Sequence, residues 1–425
     1  MCVSAVKQVA KVNLVFIFLA SAVLSVAQTI DTSSYNKYVF INQSINKIEN
    51  DSSSIQIFYE KLYKLHQSKQ GKLIITHIGD SHIQADHLSG LVRQKMQLKF
   101  GNAGRGLVFP YRLAKSNEPT SYRTLSNKTW EYKRNVFPDK PLPIGISGYT
   151  IQCSDSMAEI VLIVKDQPGL DYRFNKFTLF HEKKFNSFDL TICDDENCVQ
   201  KLFSPSSSDT NSFTSTIHLE KPSRQISIEN KVVDTTCQQF TRIYGMLLEN
   251  DSAGVLYNMI GVNGAEYRHY TLSKYFQEQF RYLYSDLIVL SLGTNEAFST
   301  AFVKQVFINQ VDTLINTIKR LNPTAALLIT TPGDSYRKVY KKGRIKNPDM
   351  KEAQDALISY CLKNNLAYWD LYEIMGGYGS MQKWYVAKLS AKDKVHFSGR
   401  GYQIQGDLLY NALMKGYNKY VESKK

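Results

Sequence analysis

Ser81 lies in a sequence context that could make its hydroxyl a nucleophile. The apolar run Leu73–Ile78 has the length of a strand, the motif Gly79–His82 (Gly-Asp-Ser-His) follows it, and a helical pattern begins a few residues later. In an open α/β sheet, a residue at the carboxyl end of a strand faces the crevice where ligands bind. The backbone amides of such a turn can also point at a developing oxyanion. Ser81 is therefore the first candidate for chemistry.

A matching base lies near the end of the chain, in the run Asp393–His396 (Asp-Lys-Val-His). A serine hydroxyl is a weak nucleophile until a histidine within hydrogen-bond reach takes its proton, and a carboxylate must hold that histidine in the right tautomer. Asp393 stands three residues before His396, so one tight loop can supply both groups. Together with Ser81, this pair predicts covalent catalysis by a serine.

Two further turns follow apolar runs of strand length. Asn295 comes shortly after Leu287–Leu290, and the turn Gly261–Gly264 follows residues 255–260. An asparagine at a strand end can aim its side-chain N–H at a tetrahedral oxyanion, and glycine lets its amide approach a ligand closely. Both turns are therefore candidates for an oxyanion hole.

These four blocks, in this order, resemble the SGNH branch of the GDSL hydrolases. The resemblance makes Ser81 the nucleophile, His396 the general base and Asp393 the residue that orients it. It gives the oxyanion to the backbone amides of Ser81 and Gly264 and to the side chain of Asn295. In the glycine turn we take Gly264, rather than Gly261, as the donor. The motifs place the catalytic core at about residues 70–100 and 255–420.

The sequence departs from this family at His82, where leucine is usual. We predict that His82 and Asp80 line the pocket, with Asp80 capping the helix start; a simply solvated His82 is the alternative. His77, inside the apolar strand, is predicted to be buried and hydrogen-bonded, and Glu296 to be structural. No set of His, Cys or carboxylate residues has convincing metal-ligand spacing, so neither a metal nor another cofactor is predicted.

Residues 1–27 have the features of a secretory signal peptide. Lys7 and Lys11 precede the apolar core Leu14–Val26, and small residues lead to a cleavage point after Ala27. That core is too short for a membrane span, and a signal anchor is the competing interpretation. We therefore expect an exported protein, periplasmic or extracellular, with no integral membrane segment once the signal is removed.

Export bears on the cysteines, because disulfides persist in oxidising compartments. Cys193 and Cys198 are the simplest disulfide pair, since a bridge between them would close a small loop. Cys361, on the apolar face of a helix-like stretch, is expected to be a buried free thiol.

The chain has a net charge of +14, with Lys and Arg residues spread along it rather than massed in one block. It contains no RNA- or DNA-binding motif, and export argues against a nucleic-acid partner. A basic exported protein suits acidic polymers such as cell-wall glycans, although a generally lysine-rich proteome explains the charge equally well.

The pattern of apolar residues changes twice along the chain. Residues 28–104 and 251–425 alternate between strand and helix periods, whereas residues 105–250 contain short alternating runs between turn signals, as in an inserted β-sandwich domain. Five strands with intervening helices predict a flavodoxin-like three-layer α/β/α core with the strand order 2-1-3-4-5. The fold class is thus an α/β SGNH hydrolase core with an inserted β-sandwich domain.

The Gly-Asp-Ser-His motif, the β insert, and residues 377–381 with Trp384 together resemble the peptidoglycan O-acetylesterases. In those enzymes the inserted domain resembles a carbohydrate-binding module. The resemblance implies a serine esterase that removes O-acetyl groups from an O-acetylated polysaccharide, with peptidoglycan as the first choice, through an acetyl-enzyme intermediate. A polysaccharide O-acetyltransferase and a non-catalytic glycan-binding protein are the alternatives. If the insert binds glycan, the aromatic residues to examine are Tyr172, Phe174, Phe177 and Phe188.

Overall fold

The structure is a computed structural model that describes residues 33–50, 54–139, 141–194, 213–299, 301–341 and 343–425. The predicted signal peptide, residues 1–27, lies outside these residues. None of the helices in the described residues is both long and apolar enough to cross a membrane.

The described residues form two kinds of regular element. In chain order the strands are β1 (Lys72–Gly79), β2 (Gly106–Val108), β3 (Tyr122–Ser126), β4 (Glu131–Arg134), β5 (Tyr149–Cys153), β6 (Glu159–Val164), β7 (Phe174–His181), β8 (Asp189–Asp194), β9 (Thr214–Ser223), β10 (Gln225–Lys231), β11 (Thr241–Glu249), β12 (Gly254–Gly261), β13 (Leu287–Ser291), β14 (Ala326–Thr330), β15 (Tyr336–Val339), β16 (Gly343–Lys346) and β17 (Ala367–Trp369). The α-helices are α1 (Ile55–Ser68), α2 (Ser81–Gln84), α3 (His87–Phe100), α4 (Tyr267–Thr271), α5 (Phe276–Phe280), α6 (Thr294–Phe298), α7 (Lys304–Leu321), α8 (Asp349–Lys363), α9 (Leu371–Ile374), α10 (Ser380–Val386) and α11 (Gly399–Glu422). Short 3-10 turns lie at Gln43–Ile45 and Arg281–Leu283.

The core is a parallel sheet in the order β12-β1-β13-β14-β17. Numbered along the chain, these strands have the order 2-1-3-4-5, so the predicted topology is confirmed. Their side chains are almost all buried, as expected for a parallel sheet covered by helices on both faces. The register aligns Gly79 with both Gly261 and Ser291, and Ser291 with Thr330. The turns that follow β1, β12 and β13 therefore meet at one edge of the sheet.

Two antiparallel sheets lie between the first and second strands of the core, as the sequence predicted. One has the order β3-β6-β10-β8, and the other the order β4-β5-β11-β7-β9, with β2 paired to β11. No helix occurs in the described part of residues 104–250. The four aromatic residues considered for sugar stacking are all buried here, at 5% exposure or less (Tyr172, Phe174, Phe177 and Phe188). These four rings pack into the hydrophobic core, so none of them offers a stacking surface to a sugar.

A buried ion cluster joins the insert to the core. The Asp86 carboxylate, at the start of α3, lies 2.5 Å from Arg93 Nη2 and 2.8 Å from Arg105 Nη2. Arg105 Nε donates to Ser121 Oγ in the insert (2.7 Å), and Arg93 Nε donates to Tyr172 OH (3.3 Å). Burial opposes ionisation of Asp86, but the two guanidinium groups outweigh it and lower the carboxyl pKa below its usual value. The hydrogen bonds of this cluster therefore need both core and insert, although Arg105 Nη1 is buried without a partner among the described residues.

The cysteines of the described residues include one disulfide-bonded residue and three free thiols. Cys193 is disulfide-bonded; Cys198, its predicted partner, lies outside the described residues. Cys361 is a buried free thiol, as predicted, and Cys153 and Cys237 are also free.

Candidate active site

The nucleophile stands on a very tight turn between β1 and α2. Ser81 is the first residue of α2, and Asp80 caps this single-turn helix by accepting a hydrogen bond from the His82 amide (2.9 Å). The turn needs glycine at 79, because a Cβ there would lie 2.3 Å from Ile83 Cγ1. The predicted capping role of Asp80 and the half-buried position of Ser81 at the sheet edge follow from this geometry.

Ser81, His396 and Asp393 form a continuous hydrogen-bonded relay. Ser81 Oγ lies 2.9 Å from His396 Nε2, and His396 Nδ1 lies 2.7 Å from Asp393 Oδ2. A carboxylate can only accept, so Nδ1 carries the proton and leaves Nε2 free to accept from Ser81. Across 315 residues of sequence, the fold has brought together the nucleophile and base that the motifs predicted.

The second oxygen of Asp393 is held by the backbone of its own loop. Asp393 Oδ1 accepts from the amides of Val395 and His396, each at 3.0 Å. Burial of Asp393 favours its neutral form, but the hydrogen bonds from the His396 ring and these two amides outweigh it and lower the carboxyl pKa. The Asp393 carboxylate is therefore ionised at neutral pH and suited to stabilise an imidazolium.

The two glycines of the turn after β12, Gly261 and Gly264, have different surroundings. A Cβ at Gly261 would lie 2.4 Å from the Gln84 amide nitrogen, so Gly261 is required for packing against α2. Gly264 has a φ of +84° and open space where a Cβ would lie, which fits a backbone amide presented to a ligand. Within the described residues, the amides of Ser81 and Gly264 have no acceptor. This geometry favours the choice of Gly264, whose role as a donor stays a prediction.

Asn295, in α6, is close to the nucleophile turn but occupied. Its Nδ2 donates to Ala265 O at 2.9 Å and, more weakly, to Asp80 Oδ2 at 3.3 Å. Both N–H groups are therefore engaged, and one must turn from Asp80 to reach an oxyanion. Burial raises the pKa of Asp80 to about 7, so near neutral pH a large fraction of this carboxyl is uncharged. An uncharged carboxyl accepts a weaker hydrogen bond from Asn295 Nδ2 than a carboxylate does, and it therefore competes less with an oxyanion for that donor.

His82 packs against the general base. Its ring centroid is 5.3 Å from that of His396, and its Nδ1 lies 3.0 Å from the Tyr402 hydroxyl. Burial lowers the pKa of His82 to about 3, and the nearby positive charge of His396 acts in the same direction. The His82 ring is thus neutral and half-buried, and it packs beside the relay. Among the described residues it forms no direct hydrogen bond with Ser81 or His396.

Two other titratable residues have structural surroundings. Both ring nitrogens of His77 are paired, to Tyr257 OH and to Ser291 Oγ, each at 2.7 Å, and burial lowers its pKa to about 3. Glu296 is buried and accepts from the Tyr267 amide (2.8 Å), and its burial raises the pKa to about 8. In the described residues, no group of three or more His, Cys, Asp or Glu side chains could hold a metal ion.

Gln84, which the motifs did not single out, connects the site to the insert. This fully buried side chain accepts at Oε1 from Tyr149 OH (2.9 Å) and from the Asn263 amide (2.7 Å). Its Nε2 donates to Ser116 Oγ (2.6 Å) and to Asn117 O (3.4 Å). Gln84 therefore links the helix of Ser81, the residue before Gly264 and two segments of the insert. A single polar residue three positions after the nucleophile does not by itself indicate this role.

A strand-end serine with a histidine–aspartate relay, in a three-layer α/β/α core, defines a serine acyl hydrolase. Residues 227–404 match the model of the GDSL-like lipase/acylhydrolase family. This stretch begins within the insert and includes the glycine turn, Asn295 and the Asp393–His396 loop, but not Ser81. Residues 227–404 therefore carry a domain of this acylhydrolase family.

One solved structure extends the likeness of fold to most of the chain. A peptidoglycan O-acetylesterase is similar with a TM-score of 0.71 and 21% sequence identity, over 89% of this chain and 98% of that chain. A GDSL-like lipase from Bacteroides thetaiotaomicron has a TM-score of 0.28 and 18% identity, over 37% of this chain and 76% of its own. A catalytic mutant of an acetylxylan esterase from Geobacillus stearothermophilus has a TM-score of 0.30 and 17% identity, over 39% and 73% of the respective chains. Comparison with curated protein sequences gives no match.

Proposed function

We propose that this esterase is exported and removes O-acetyl groups from a cell-wall polysaccharide, with peptidoglycan as its substrate. The observation that carries the proposal is the intact Ser81–His396–Asp393 relay in a core that also carries a β insert. A peptidoglycan O-acetylesterase aligns with 89% of this chain and over 98% of its own length. The signal-like residues 1–27 support export, and the positive net charge that remains without Lys7 and Lys11 suits an acidic polymer.

The geometry supplies each step of an ester hydrolysis. Ser81 Oγ attacks the acetyl carbonyl carbon while His396 Nε2 takes the hydroxyl proton, and the carbonyl oxygen becomes an oxyanion near the amides of Ser81 and Gly264. Collapse of this intermediate breaks the bond to the sugar oxygen, which leaves with the proton from His396. The same histidine then takes a proton from water, which attacks the acetyl-enzyme. Collapse of the second intermediate breaks the bond from the acetyl carbon to Ser81 Oγ, which takes the proton back from His396 as acetate leaves. Asp393 holds the imidazole and stabilises its charged form throughout.

The test is acetate release measured in parallel from O-acetylated peptidoglycan, O-acetyl xylan and a small aryl acetate, with Ser81→Ala as the blank. We expect release from all three, and the highest kcat/KM on peptidoglycan. A preference for xylan over peptidoglycan would contradict the substrate, and acetyl transfer to a sugar hydroxyl in place of water would identify a transferase.

A further inference from the structure

The segment after Asp334 forms an exposed antiparallel hairpin, β15–β16, that is strongly basic. Residues 337–346 contain six Lys or Arg residues and no Asp or Glu. The basic residues, which are spread along the chain as a whole, are therefore concentrated in this segment. Such a concentration of charge needs a structural or functional reason.

The strand register gathers three of these cations on one face. Lys338 lies directly opposite Arg344, and Tyr336 directly opposite Lys346. Alternate residues of a strand share a face, so Lys338, Arg344 and Lys346 point the same way, and all three are exposed. Like charges opposite each other destabilise a sheet. Among the described residues, the hairpin's ion pair is that of Arg337 with Asp349, on the other face. Asp334 lies close enough to Lys346 for the two charges to attract, but within the described part of the chain it forms no ion pair with the cations of this face.

This face continues onto the loop that holds the catalytic pair. Arg344 Nη1 donates to the Asp393 carbonyl oxygen at 2.6 Å, and the Tyr336 amide donates to the Lys394 carbonyl oxygen at 2.9 Å. Lys394 Nζ lies 4.8 Å from the centre of the Tyr336 ring. We define Lys338, Arg344, Lys346 and Lys394 as the cationic face. It extends from the hairpin to the loop containing Asp393.

Exposed aromatic rings lie beside these cations. Tyr340, at the tip of the hairpin, is 87% exposed, and Tyr378 is 55% exposed, with Lys346 Nζ 5.1 Å from its ring centre. Aromatic rings next to positive charges suit a ligand that has both apolar sugar faces and negatively charged groups. In contrast to the buried aromatics of the insert, these rings are available to a polymer.

We propose that the cationic face binds the carboxylates of an anionic glycan and holds the polymer beside Ser81. This inference rests on the proposed function. It adds that the polymer is recognised by the catalytic core and that this recognition depends on charge. Peptidoglycan carries carboxylates on its peptide stems, whereas unsubstituted xylan does not. Single exposed ion pairs are weak, but several along one polymer act together and raise the local substrate concentration. Binding of this kind is screened by salt.

The experiment compares two double variants that lose the same charge. Lys338→Gln/Lys346→Gln removes two cations of the cationic face, and Arg123→Gln/Lys165→Gln removes two exposed cations from a groove on the insert. We expect the first variant to raise KM for O-acetylated peptidoglycan about tenfold at low salt with kcat unchanged. Its KM should also depend less on salt, because only Arg344 and Lys394 of the cationic face remain. Its kinetics on a small aryl acetate and on O-acetyl xylan should equal those of the unmodified protein, as should all kinetics of the second variant.

Three results would overturn the inference. Equal KM values for the first variant and the unmodified protein on peptidoglycan would show that the face does not bind the polymer, while leaving the esterase function intact. An equal loss in the second variant would assign the effect to net charge, and an equal loss on the aryl acetate would assign it to damage of the catalytic loop.

Sedimentation with insoluble polymer separates this inference from the proposed function. If the unmodified protein releases no acetate from peptidoglycan, the proposed substrate fails, and the face is tested by retention on polygalacturonate, a polymer of uronic acids. Retention that the first variant loses supports the face, and no retention overturns it. The protein could instead bind vesicles of anionic phospholipid more strongly than either glycan and lose this binding in the first variant. That result would overturn the proposal of a glycan ligand and identify a membrane surface as the ligand of the cationic face.

Discussion

Replacing Gln84 with methionine tests whether the insert holds the oxyanion loop in place. Methionine is flexible enough to fill the same space but removes all four hydrogen bonds of the Gln84 side chain. The hydroxyls of Tyr149 and Ser116 lie 3.1 Å apart and can turn to each other, and exposed Asn117 can bind water. The amide of Asn263 is the group left without a partner.

The expected cost follows from that single orphaned amide. A buried donor without an acceptor costs about 1–3 kcal/mol. Asn263 is only half-buried, so the free energy of unfolding should fall by about 1 kcal/mol, the lower end of that range. Because Asn263 precedes Gly264, a shift of the loop would also misplace the Gly264 amide. One lost oxyanion donor reduces kcat by roughly 10²–10³, which is the upper limit here, and we expect a loss of about 10–100-fold with little change in KM.

The assay is urea unfolding together with kcat and KM on a small aryl acetate. Gln84→Glu is the matched control, because it keeps an acceptor oxygen for Tyr149 and Asn263 and should lose less activity. A folded Gln84→Met variant with unchanged kcat, or with a loss confined to KM, would refute the claim that Gln84 positions the loop.

The remaining predictions concern the relay and its buried neighbours. Ser81→Ala and His396→Ala should each abolish hydrolysis with the fold intact, and the double variant should be no worse, since the pair acts as a unit; substantial kcat in either folded variant contradicts the relay. Asp393→Asn should lower kcat by about 10³–10⁴ through the wrong imidazole tautomer, and wild-type kcat would show that Asp393 does not orient the base. Asn295→Ala should lower kcat by roughly 10²–10³ with little change in KM, whereas an effect on KM alone would make it a ground-state contact. Burial raises the pKa of Glu296 from 4.5 to about 8, so between these pH values the folded protein binds more protons at this carboxyl than the unfolded chain does. The contribution of Glu296 to stability therefore falls as the pH rises through this range. Glu296→Gln should lose less unfolding free energy than the unmodified protein between pH 5 and pH 8, and equal losses would contradict the raised pKa.

The order of the central strands and the relay could be predicted because both depend on local signals. The apolar runs before Ser81, Gly261 and Asn295 have strand length, and parallel strands bring their carboxyl ends to one edge whatever lies between them. The 145-residue insert therefore did not hide the relation between Ser81 and His396.

What the sequence did not reveal depends on which segments lie opposite each other. The role of Gln84 needs partners at 116, 149 and 263, and no local pattern links these positions. Whether Phe174 and Phe177 are exposed could not be read from the sequence, and strand pairing places both in the core. The basic run at 337–346 was visible as composition, but only the register of β15 and β16 shows that Lys338 and Arg344 share a face.

The ion cluster at Asp86 makes the two parts of this protein mutually dependent for folding. Cutting the chain at the predicted boundary after residue 104 would leave Asp86 and Arg93 in one piece and Arg105 in the other. Breaking a buried ion pair in this way is strongly destabilising, because a charge remains in the interior without its partner. An insert exchanged with that of a related esterase would meet the same obstacle unless an arginine equivalent to Arg105 came with it. Recombination in nature should therefore pass the core and insert on as one inherited unit rather than as exchangeable modules.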